Sequence, residues 1–497
     1  MSRKKKRAQS FENNLEAHER EQYEAWLSAL MEEVTLPEKE ARAIKNDFSK
    51  AVAFYHDQGL TIKESVRQIG PDILGGFYVP ADPNDWYPLD SAAKVYPLSL
   101  THTSMSVFRV SAYLADRVVP EILQVALLST IKRFPVFATT IRKGFFWHYL
   151  DATRRRFTVQ PEKGMPCQPI KVSGRNAVSF RVQYYGKRIS LEVFHILTDG
   201  TGAMVFLKTL VREYLRLLGK DVPVGPEVLD VSGPVQAGEL ENAFSRGDAA
   251  DKAEGFVEMP AAQIGGRRTF FQPCKVVHCI MPADALHVAA KAMGTTVTGL
   301  VLSAMFVASA GSLNKPRPRG RLHIQVPVNM RKFYPSQTLR NFSMYSVLKL
   351  RVEDVPSLEA AIPLVDGQLR ETTTKASLDR MVAMTNGLVK NPLLRFTPLV
   401  LKRFVFRWVY KLIGERTLTT TLSNLGMAVN PFGSELDMYD FMLGPSGTNN
   451  VNCGLITAEG KAVLTLTKST LDNRFESRMC ELLTGLGITM DIEEAAV

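Results

Sequence analysis

One stretch of the chain changes the period of its apolar residues from two to about 3.6. Apolar residues take alternate positions from Val178 to Tyr184 and from Ile189 to Val193, on either side of Gly186-Lys187. This alternation predicts a β-hairpin with one buried face. From Ala203 to Leu218 the apolar residues form one helical stripe, which Gly219 ends. Strand and helix patterns are mixed in this way along most of the chain, which predicts an α/β fold rather than a sandwich or a helical bundle.

Composition and periodicity divide the 497 residues into four parts. Residues 1–80 are rich in helix formers, carry a capping box from Thr61 to Glu64, and are predicted to form a helical N-terminal extension. Residues 81–225 and 271–497 each mix strand and helix patterns and are interpreted as the two halves of the main body. Residues 226–270 contain scattered Pro, Gly and Asp, so we expect them to connect the halves.

Several classes of protein are disfavoured by the composition. Hydrophobic residues make up 45% of the chain and charged residues 22%, which excludes wholesale disorder. No apolar run reaches the roughly 18 residues that span a bilayer. The basic start of the chain is not followed by an apolar stretch, so no secretory signal is expected. The five cysteines have neither zinc-knuckle nor CxxC spacing, which predicts reduced thiols and a cytoplasmic protein.

Two basic clusters raise the question of a polyanionic partner. The chain has 61 Lys and Arg against 50 Asp and Glu, and Arg3 to Arg7 is a run of five cations. No basic–aromatic RNA-binding motif accompanies this run, so a solvated tail is favoured over a nucleic-acid arm, and no nucleic-acid partner is predicted. The second cluster, residues 401–412, mixes Lys and Arg with Phe, Trp and Leu. It fits a helix in peripheral contact with a membrane surface, or a half-buried helix whose Arg stems snorkel.

The chemistry-bearing motif is His195-Ile-Leu-Thr-Asp199-Gly200, where the predicted hairpin leads into the helix. A neutral imidazole at a strand end can remove a proton from a hydroxyl or an amine, because its unperturbed pKa of about 6.5 is near working pH. Gly200 and Gly202 allow a tight turn and the close approach of a ligand. The alternative is a structural histidine bonded to a nearby carbonyl, followed by an ordinary Asp-Gly turn. The other histidines of the body lack partners at ligand spacing, so no metal site is proposed.

A strand, His-xxx-Asp-Gly and then an amphipathic helix resembles the active-site segment of the chloramphenicol-acetyltransferase-like superfamily, and most of all that of bacterial alcohol acetyltransferase-like proteins. The resemblance extends over about residues 86–490. Further stretches that look like those proteins are 133–137, 144–150, 327–331, 339–342, 423–426 and 473–476. Phe194 stands where a peptide-synthetase condensation domain usually has a second histidine, which argues against peptide synthesis. Residues 1–80 lie outside the resemblance, so we expect them to be dispensable for folding and chemistry.

The resemblance implies two similar α/β halves, each a mixed sheet with flanking helices, that form a V with a central tunnel. His195 would be the catalytic base in the tunnel. Asp199, the other motif residue, would pair with Arg331 from the second half and hold the His195 loop, with Gly200, in shape. Ser423 and Asn424 would lie on a strand that passes the active site, as candidate donors to an oxyanion. Asn341 would shape the tunnel or donate to the oxyanion. The alternative for Ser423, Asn424 and Asn341 is a structural role, as polar residues that cap the end of a sheet.

The leading hypothesis is therefore a CoA-dependent O-acyltransferase, similar to acyl-CoA:alcohol O-acetyltransferases. It would move an acetyl or short acyl group from acyl-CoA to an alcohol or amine, with His195 as general base in a ternary complex. No permanently bound cofactor is expected, and acyl-CoA is the co-substrate. One alternative is an acyltransferase that acts on a lipid or on a carrier-bound acyl group at a membrane surface. Another is a non-catalytic binding protein that keeps the fold.

Overall fold

A computed structural model of the chain describes most of its residues. The described residues are 11–12, 15–34, 36–70, 86–94, 97, 105–153, 155–172, 174, 177–246, 260–270, 272–315, 319–409, 417–445 and 449–496. The predicted Arg3–Arg7 tail and the end of the basic cluster, Tyr410 to Leu412, lie outside these residues.

Three helices precede the first half, which is built of seven strands and three helices in the described residues. The bounds of the leading helices are α1 Ala17–Glu33, α2 Glu38–Asp57 and α3 Ile62–Ile69. The next elements are β1 Trp86–Pro88, β2 Val107–Leu114, α4 Pro120–Arg133, β3 Thr139–Lys143, β4 His148–Ala152, β5 Val159–Pro161, β6 Phe180–Tyr185, β7 Arg188–Phe194, α5 Gly200–Leu217 and α6 Ala237–Leu240. The β6–β7 hairpin, the α5 helix and the Thr61–Glu64 capping box agree with the predictions from periodicity and capping.

The second half begins with β8 and ends with β15. Its elements are β8 Lys275–Pro282, α7 Ala283–Ala292, α8 Val297–Gly311, β9 Arg321–Asn329, β10 Ser343–Arg351, α9 Leu358–Thr372, α10 Lys375–Lys390, α11 Pro392–Phe396, α12 Leu399–Val409, β11 Thr420–Met427, β12 Leu436–Leu443, β13 Val451–Ala458, β14 Lys461–Lys468, α13 Arg474–Thr484 and β15 Asp491–Ala496. The helices α9 to α11 and the strands β12 and β15 were not among the predicted elements.

The strands form two large sheets and one small sheet, which confirms the predicted mixed α/β fold with two sheet-rich halves. The order is β12-β2-β7-β6-β5 in the five-stranded sheet and β10-β9-β11-β13-β14-β8-β15 in the seven-stranded sheet. The third sheet has the order β1-β4-β3. Strand β12 follows β11 in sequence but pairs antiparallel with β2, so a segment of the second half completes the sheet of the first.

Each large sheet packs against its own set of buried apolar residues. One core joins the five-stranded sheet to α4, α5 and the leading helices, and another joins the seven-stranded sheet to α7, α8, α9 and α13. The leading helices are bonded to the body as well as packed on it. The Tyr55 hydroxyl donates to the Leu217 carbonyl over 2.7 Å, and Arg156 pairs with the buried carboxylate of Asp47. This shared core argues against the expectation that residues 1–80 can be removed without effect on folding.

The aromatic stretch from Phe145 to Leu150 is divided between a turn and a strand. Residues 144–147 form the tip of the β3–β4 hairpin, and the strand begins at His148. The Gly144 amide donates to the Trp147 carbonyl over 3.0 Å and closes the tip. A Cβ at Gly144 would lie 2.6 Å from the Trp147 oxygen, so the tip requires glycine there.

Within the described residues, no single helix combines the length and the apolar composition needed to cross a bilayer. Taken together, α7 and α8 are long and apolar enough to cross a bilayer, but the chain bends by 79° at the break between them.

Candidate active site

His195 follows the last residue of β7, at the point where the chain leaves the five-stranded sheet. Its backbone amide donates to the Ser106 carbonyl over 2.9 Å, so the sheet hydrogen bonding extends to this residue. The imidazole is half-buried and lies edge-on to Phe108, with the ring centroids 5.1 Å apart. Phe108 sits opposite Val193 in the β2–β7 register. An alternating strand pattern identifies Phe108 as a sheet residue but does not reveal this contact.

The surroundings of His195 favour a neutral imidazole. Burial lowers the pKa of His195, while a hydrogen bond to its own backbone and the charge of Asp199 act in the opposite direction. Because burial dominates, the ring is uncharged near pH 7 and has a nitrogen able to accept a proton. A general base needs this protonation state before it can react.

The Asp199 carboxylate is fully engaged by protein groups. It caps α5 by accepting the Gly202 amide over 3.1 Å. Its other oxygen accepts the Arg331 Nη1 group and the Phe342 amide, each over 2.7 Å. The side chain is 4% exposed. With three donors on its two oxygens, the carboxylate joins the loop after His195 to Arg331 and Phe342 of the second half.

Arg331 links the Asp199 carboxylate to the loop before β10. Its guanidinium donates to the Thr338 carbonyl over 2.8 and 3.0 Å and to the Arg340 carbonyl over 2.7 Å. The Asn329 side chain, at the end of β9, accepts the Arg331 amide and donates to Thr201 over 3.1 Å. The Asp199–Arg331 pair implied by the resemblance is therefore present, and it is part of a larger set of bonds across the two halves.

Two glycines allow the His195 loop to lie against the second half. A Cβ at Gly202 would lie 2.3 Å from the Leu339 carbonyl oxygen, and one at Gly200 would lie 2.5 Å from the Leu425 side chain. The Thr198 hydroxyl donates to the same Leu339 carbonyl over 2.6 Å. Thr198 was not singled out from the sequence, although it lies inside the motif.

Ser423 and Asn424 are neighbours on β11 but face opposite sides of the seven-stranded sheet. The Asn424 amide donates to Thr298 on α8 over 2.9 Å, and its oxygen accepts the Gly426 amide over 2.8 Å. Ser423 is paired with Gly454 of β13, where an added Cβ would meet the Phe441 backbone of β12. Since directly paired residues point to the same face, Ser423 faces the five-stranded sheet that carries His195.

Asn341 is 1% exposed and precedes Phe342, whose amide donates to Asp199. Its oxygen accepts the Ser343 amide over 3.2 Å and the Ser343 hydroxyl over 2.9 Å. Among the described residues its amide nitrogen has no hydrogen-bond partner, although it is buried. A buried donor without an acceptor is unfavourable unless a ligand or a water molecule accepts its hydrogen bond.

Three other histidines that the structure describes, His148, His278 and His323, are buried and lie away from His195 in sequence. His278 is buried against the Thr465 hydroxyl at 3.0 Å, and His323 contacts the Thr417 carbonyl at 2.7 Å. His148 is buried on β4, and burial lowers its pKa to about 4. His102 lies outside the described residues. In the described part of the chain, no group of three or more His, Cys, Asp or Glu side chains is arranged to hold a metal.

Solved structures with the same architecture include acetyltransferases from fungi. TRI101 of Fusarium sporotrichioides, complexed with coenzyme A and T-2, matches with a TM-score of 0.54 and 11% identity over 82% of this chain and 99% of that one. The trichothecene 15-O-acetyltransferase TRI3 of the same fungus matches with a TM-score of 0.51 and 13% identity over 83% and 99%. Polyketide synthase associated protein 5 of Mycobacterium tuberculosis matches with a TM-score of 0.51 and 12% identity over 80% and 97%.

The chain shares its mixed α/β fold, with two sheet-rich halves, with these solved structures. At 11–13% identity these likenesses establish the fold alone. No family model matches the sequence. The uncharacterized protein Rv2305 of Mycobacterium tuberculosis (strain ATCC 25618 / H37Rv) is 25% identical over 296 residues, as is its counterpart MT2362 in strain CDC 1551 / Oshkosh. The match covers 55% of this chain and 65% of the length of those relatives.

Proposed function

We propose that this protein is a CoA-dependent O-acyltransferase that moves an acetyl or short acyl group from acyl-CoA to an alcohol or amine. The observation that carries the proposal is the difference between the environments of two motif residues. Asp199 is occupied by Gly202, Phe342 and Arg331, whereas His195 is a half-buried, neutral imidazole at the sheet end. This arrangement suits a base held in place by a carboxylate that takes no part in proton transfer.

In the proposed reaction both substrates are bound before chemistry begins. His195 takes the proton of the acceptor hydroxyl as its oxygen bonds to the thioester carbonyl carbon. The carbonyl π electrons move to its oxygen, and the Ser423 hydroxyl, on the face toward the His195 sheet, donates to that oxyanion. When the carbonyl re-forms, the carbon–sulfur bond breaks and the CoA thiolate takes the proton from His195. The products are an ester and free CoA, and the ternary complex supplies the proximity effect without an acyl-enzyme.

The fold neighbours support the class of reaction at a coarse level. TRI101 was solved with coenzyme A, and TRI3 is named as an O-acetyltransferase. A tunnel between the two halves, open to acyl-CoA on one side and to the acceptor on the other, is part of this proposal. The second candidate is transfer to a lipid acceptor, or from a carrier-bound acyl group. A large exposed apolar surface on α11 and α12 favours that candidate over a fully water-soluble acceptor.

A matrix of acyl-CoA donors and acceptors, with thiol release and mass spectrometry as readouts, tests the proposal. We expect thiol release that depends on the acceptor, together with an ester or amide product. His195→Ala should lower the rate by roughly 10²–10⁴ while the protein stays folded. His287→Ala is the matched control, since His287 is exposed on α7. Binding of acyl-CoA without turnover for any donor, including a carrier-bound acyl group, would favour a non-catalytic protein of the same fold.

A further inference from the structure

The helix α12 buries one of its cations, Lys402, while several of its apolar side chains are exposed. Lys402 is 1% exposed, while Phe404 is 75% exposed and Val400 is 79% exposed. Lys402 is therefore not a snorkelling cation, whereas Arg403, one of the residues to which that interpretation of 401–412 applied, is half-buried. A helix that folds against its own protein usually buries its apolar face, so the burial of Lys402 needs a specific cause.

Contacts with Trp147 and the rest of the hairpin tip account for the burial of Lys402. The Lys402 ammonium lies 3.6 Å from the centroid of the Trp147 ring and donates to the Phe146 carbonyl over 2.8 Å. The Leu399 amide donates to the Phe145 carbonyl over 2.9 Å, and the Phe146 and Phe396 rings lie 6.1 Å apart. The β3–β4 hairpin tip therefore fixes one side of α11 and α12, and it leaves the opposite side without a protein partner in the described residues.

The helices α11 and α12 and the hairpin tip carry a set of exposed apolar side chains, here called the apolar surface. Its members are Phe145, Leu393, Phe396, Val400, Leu401, Phe404 and Val405, each between 52% and 83% exposed. Monomeric soluble proteins rarely expose a contiguous apolar patch of more than a few hundred Å². An exposed patch of this kind marks a surface that contacts something else.

The charges near this surface favour one kind of partner. The segment 380–414 has seven Lys and Arg residues and contains no Asp or Glu. Within it, Lys390 and Arg395 are exposed at the edge of the apolar surface. Lys143 adds a cation just before the hairpin tip, and its neighbour Arg142 is paired with Asp151. Apolar side chains bordered by cations suit insertion at the boundary between headgroups and acyl chains, with the cations at anionic headgroups.

We propose that the apolar surface on α11, α12 and the hairpin tip docks the protein on an anionic lipid bilayer. Large side chains of the surface enter the headgroup region, while Lys390 and Arg395 bind lipid phosphates. Docking of this kind does not require acyltransferase activity, so it can be measured without a catalytic readout.

Flotation of the full chain with lipid vesicles tests the docking. Wild type should float with phosphatidylcholine vesicles that contain about one third phosphatidylglycerol, and much less with pure phosphatidylcholine. Added salt should weaken the binding. Val400→Ser combined with Phe404→Ser should lower partitioning about tenfold or more on the anionic vesicles. Val288→Ser is the matched control, since Val288 is 64% exposed on α7 and far from the surface in sequence. It should float like wild type.

A second pair of variants separates the electrostatic contribution from the apolar one. Lys390→Gln with Arg395→Gln should weaken binding to the anionic vesicles and leave the weak binding to phosphatidylcholine unchanged. Because all four replaced side chains are exposed, the thermal unfolding of each variant should match wild type, which is checked first. The proposal is overturned if wild type does not float with anionic vesicles, or if both double variants float as well as wild type. It is also overturned if wild type is a dimer in solution that the Val400→Ser, Phe404→Ser variant converts to monomer, because the surface would then cover a second copy.

Discussion

Asp199 and Arg331, 132 positions apart in sequence, lie with Oδ2 and Nη1 separated by 2.7 Å, and both side chains are largely buried. Asp199 belongs to the loop that follows His195, and Arg331 belongs to the loop that follows β9. The pair therefore links the geometry of the imidazole to the contact between the two halves. Its loss should affect both stability and activity.

We predict that Asp199→Ala and Arg331→Ala each lower the free energy of unfolding by about 3–5 kcal/mol, because each leaves a buried charge unpaired. The double variant should cost less than the sum of the two single variants. Chemical denaturation of the three proteins measures this. Arg142→Ala is the control, since it breaks an exposed pair with Asp151 and should cost less than about 1 kcal/mol. Strictly additive losses would show that the pair does not act as a unit.

The pH dependence of activity should report His195. Burial lowers the pKa of His195, so kcat/KM should be constant near neutral pH and fall on the acid side with a midpoint below 6.5. The physical reason is that protonation removes the base from the free protein. A pH profile of kcat/KM with a saturating second substrate measures the midpoint. An acid limb that persists unchanged in His195→Ala would assign it to another group.

Ser423→Ala and Asn424→Ala should have different effects, although the two residues are adjacent. Ser423 faces the His195 sheet, so its removal should lower kcat by roughly 10–10² with little change in the melting temperature. Asn424 bonds Thr298 and Gly426 inside the second half, so its removal should lower the melting temperature first. Steady-state kinetics and thermal unfolding of both variants separate the roles. Ser423 would be excluded as the oxyanion donor if Ser423→Ala lowered the melting temperature without a change in kcat while Asn424→Ala lowered kcat.

Acidification should destabilise the protein through His148. Its folded pKa is about 4, because burial and the charges of Arg403 and Lys143 oppose protonation, whereas the unfolded value is about 6.5. Between these pH values the unfolded chain binds a proton that the folded chain does not. The free energy of unfolding should therefore fall by about 3 kcal/mol as the pH drops from 6.5 to 4. His148→Gln should reduce this slope and His287→Gln should not. Equal slopes in denaturation curves of both variants would contradict the assignment.

Removal of the N-terminal helices should destabilise the body. A chain that begins near Asp82 exposes the apolar faces of α4 and α5 and leaves Arg156 without Asp47. We expect a lower melting temperature and a loss of monodispersity. Asp47→Ala should reproduce a part of the effect, about 2 kcal/mol, by removing two charge-assisted hydrogen bonds. A truncated protein with the melting temperature and rate of wild type would show that residues 1–80 are dispensable after all.

The local elements around His195 could be predicted from the sequence because short-range periodicity determines them. The β6–β7 hairpin and α5 depend on neighbours a few residues away, and so does the cap that Asp199 provides. The pairing of Asp199 with Arg331 could not come from periodicity, and it was expected from the family resemblance alone.

Features that depend on distant partners were not predicted. That Ser423 rather than Asn424 faces the His195 sheet becomes visible only from the register of β11 with β13 and the contact of Gly454 with Phe441. The burial of Lys402 on α12 depends on contacts with Trp147 and the rest of the hairpin tip, about 250 residues earlier in the chain. Strand β12 is almost entirely buried on both faces, so it lacks the alternation by which strands are recognised.

The pairing of β12 with β2 has a consequence for synthesis on the ribosome. Strand β2 ends at Leu114 and its partner begins at Leu436, so translation has to add more than 300 residues between them. At about 5–20 residues per second, the β2 edge of the nascent sheet stays open for roughly 15–60 seconds. An open edge of this kind is a template for pairing with other chains. The nascent protein is therefore most exposed to misassembly on polysomes, and a chaperone that covers β2 during this interval should raise the yield more than one that acts after release.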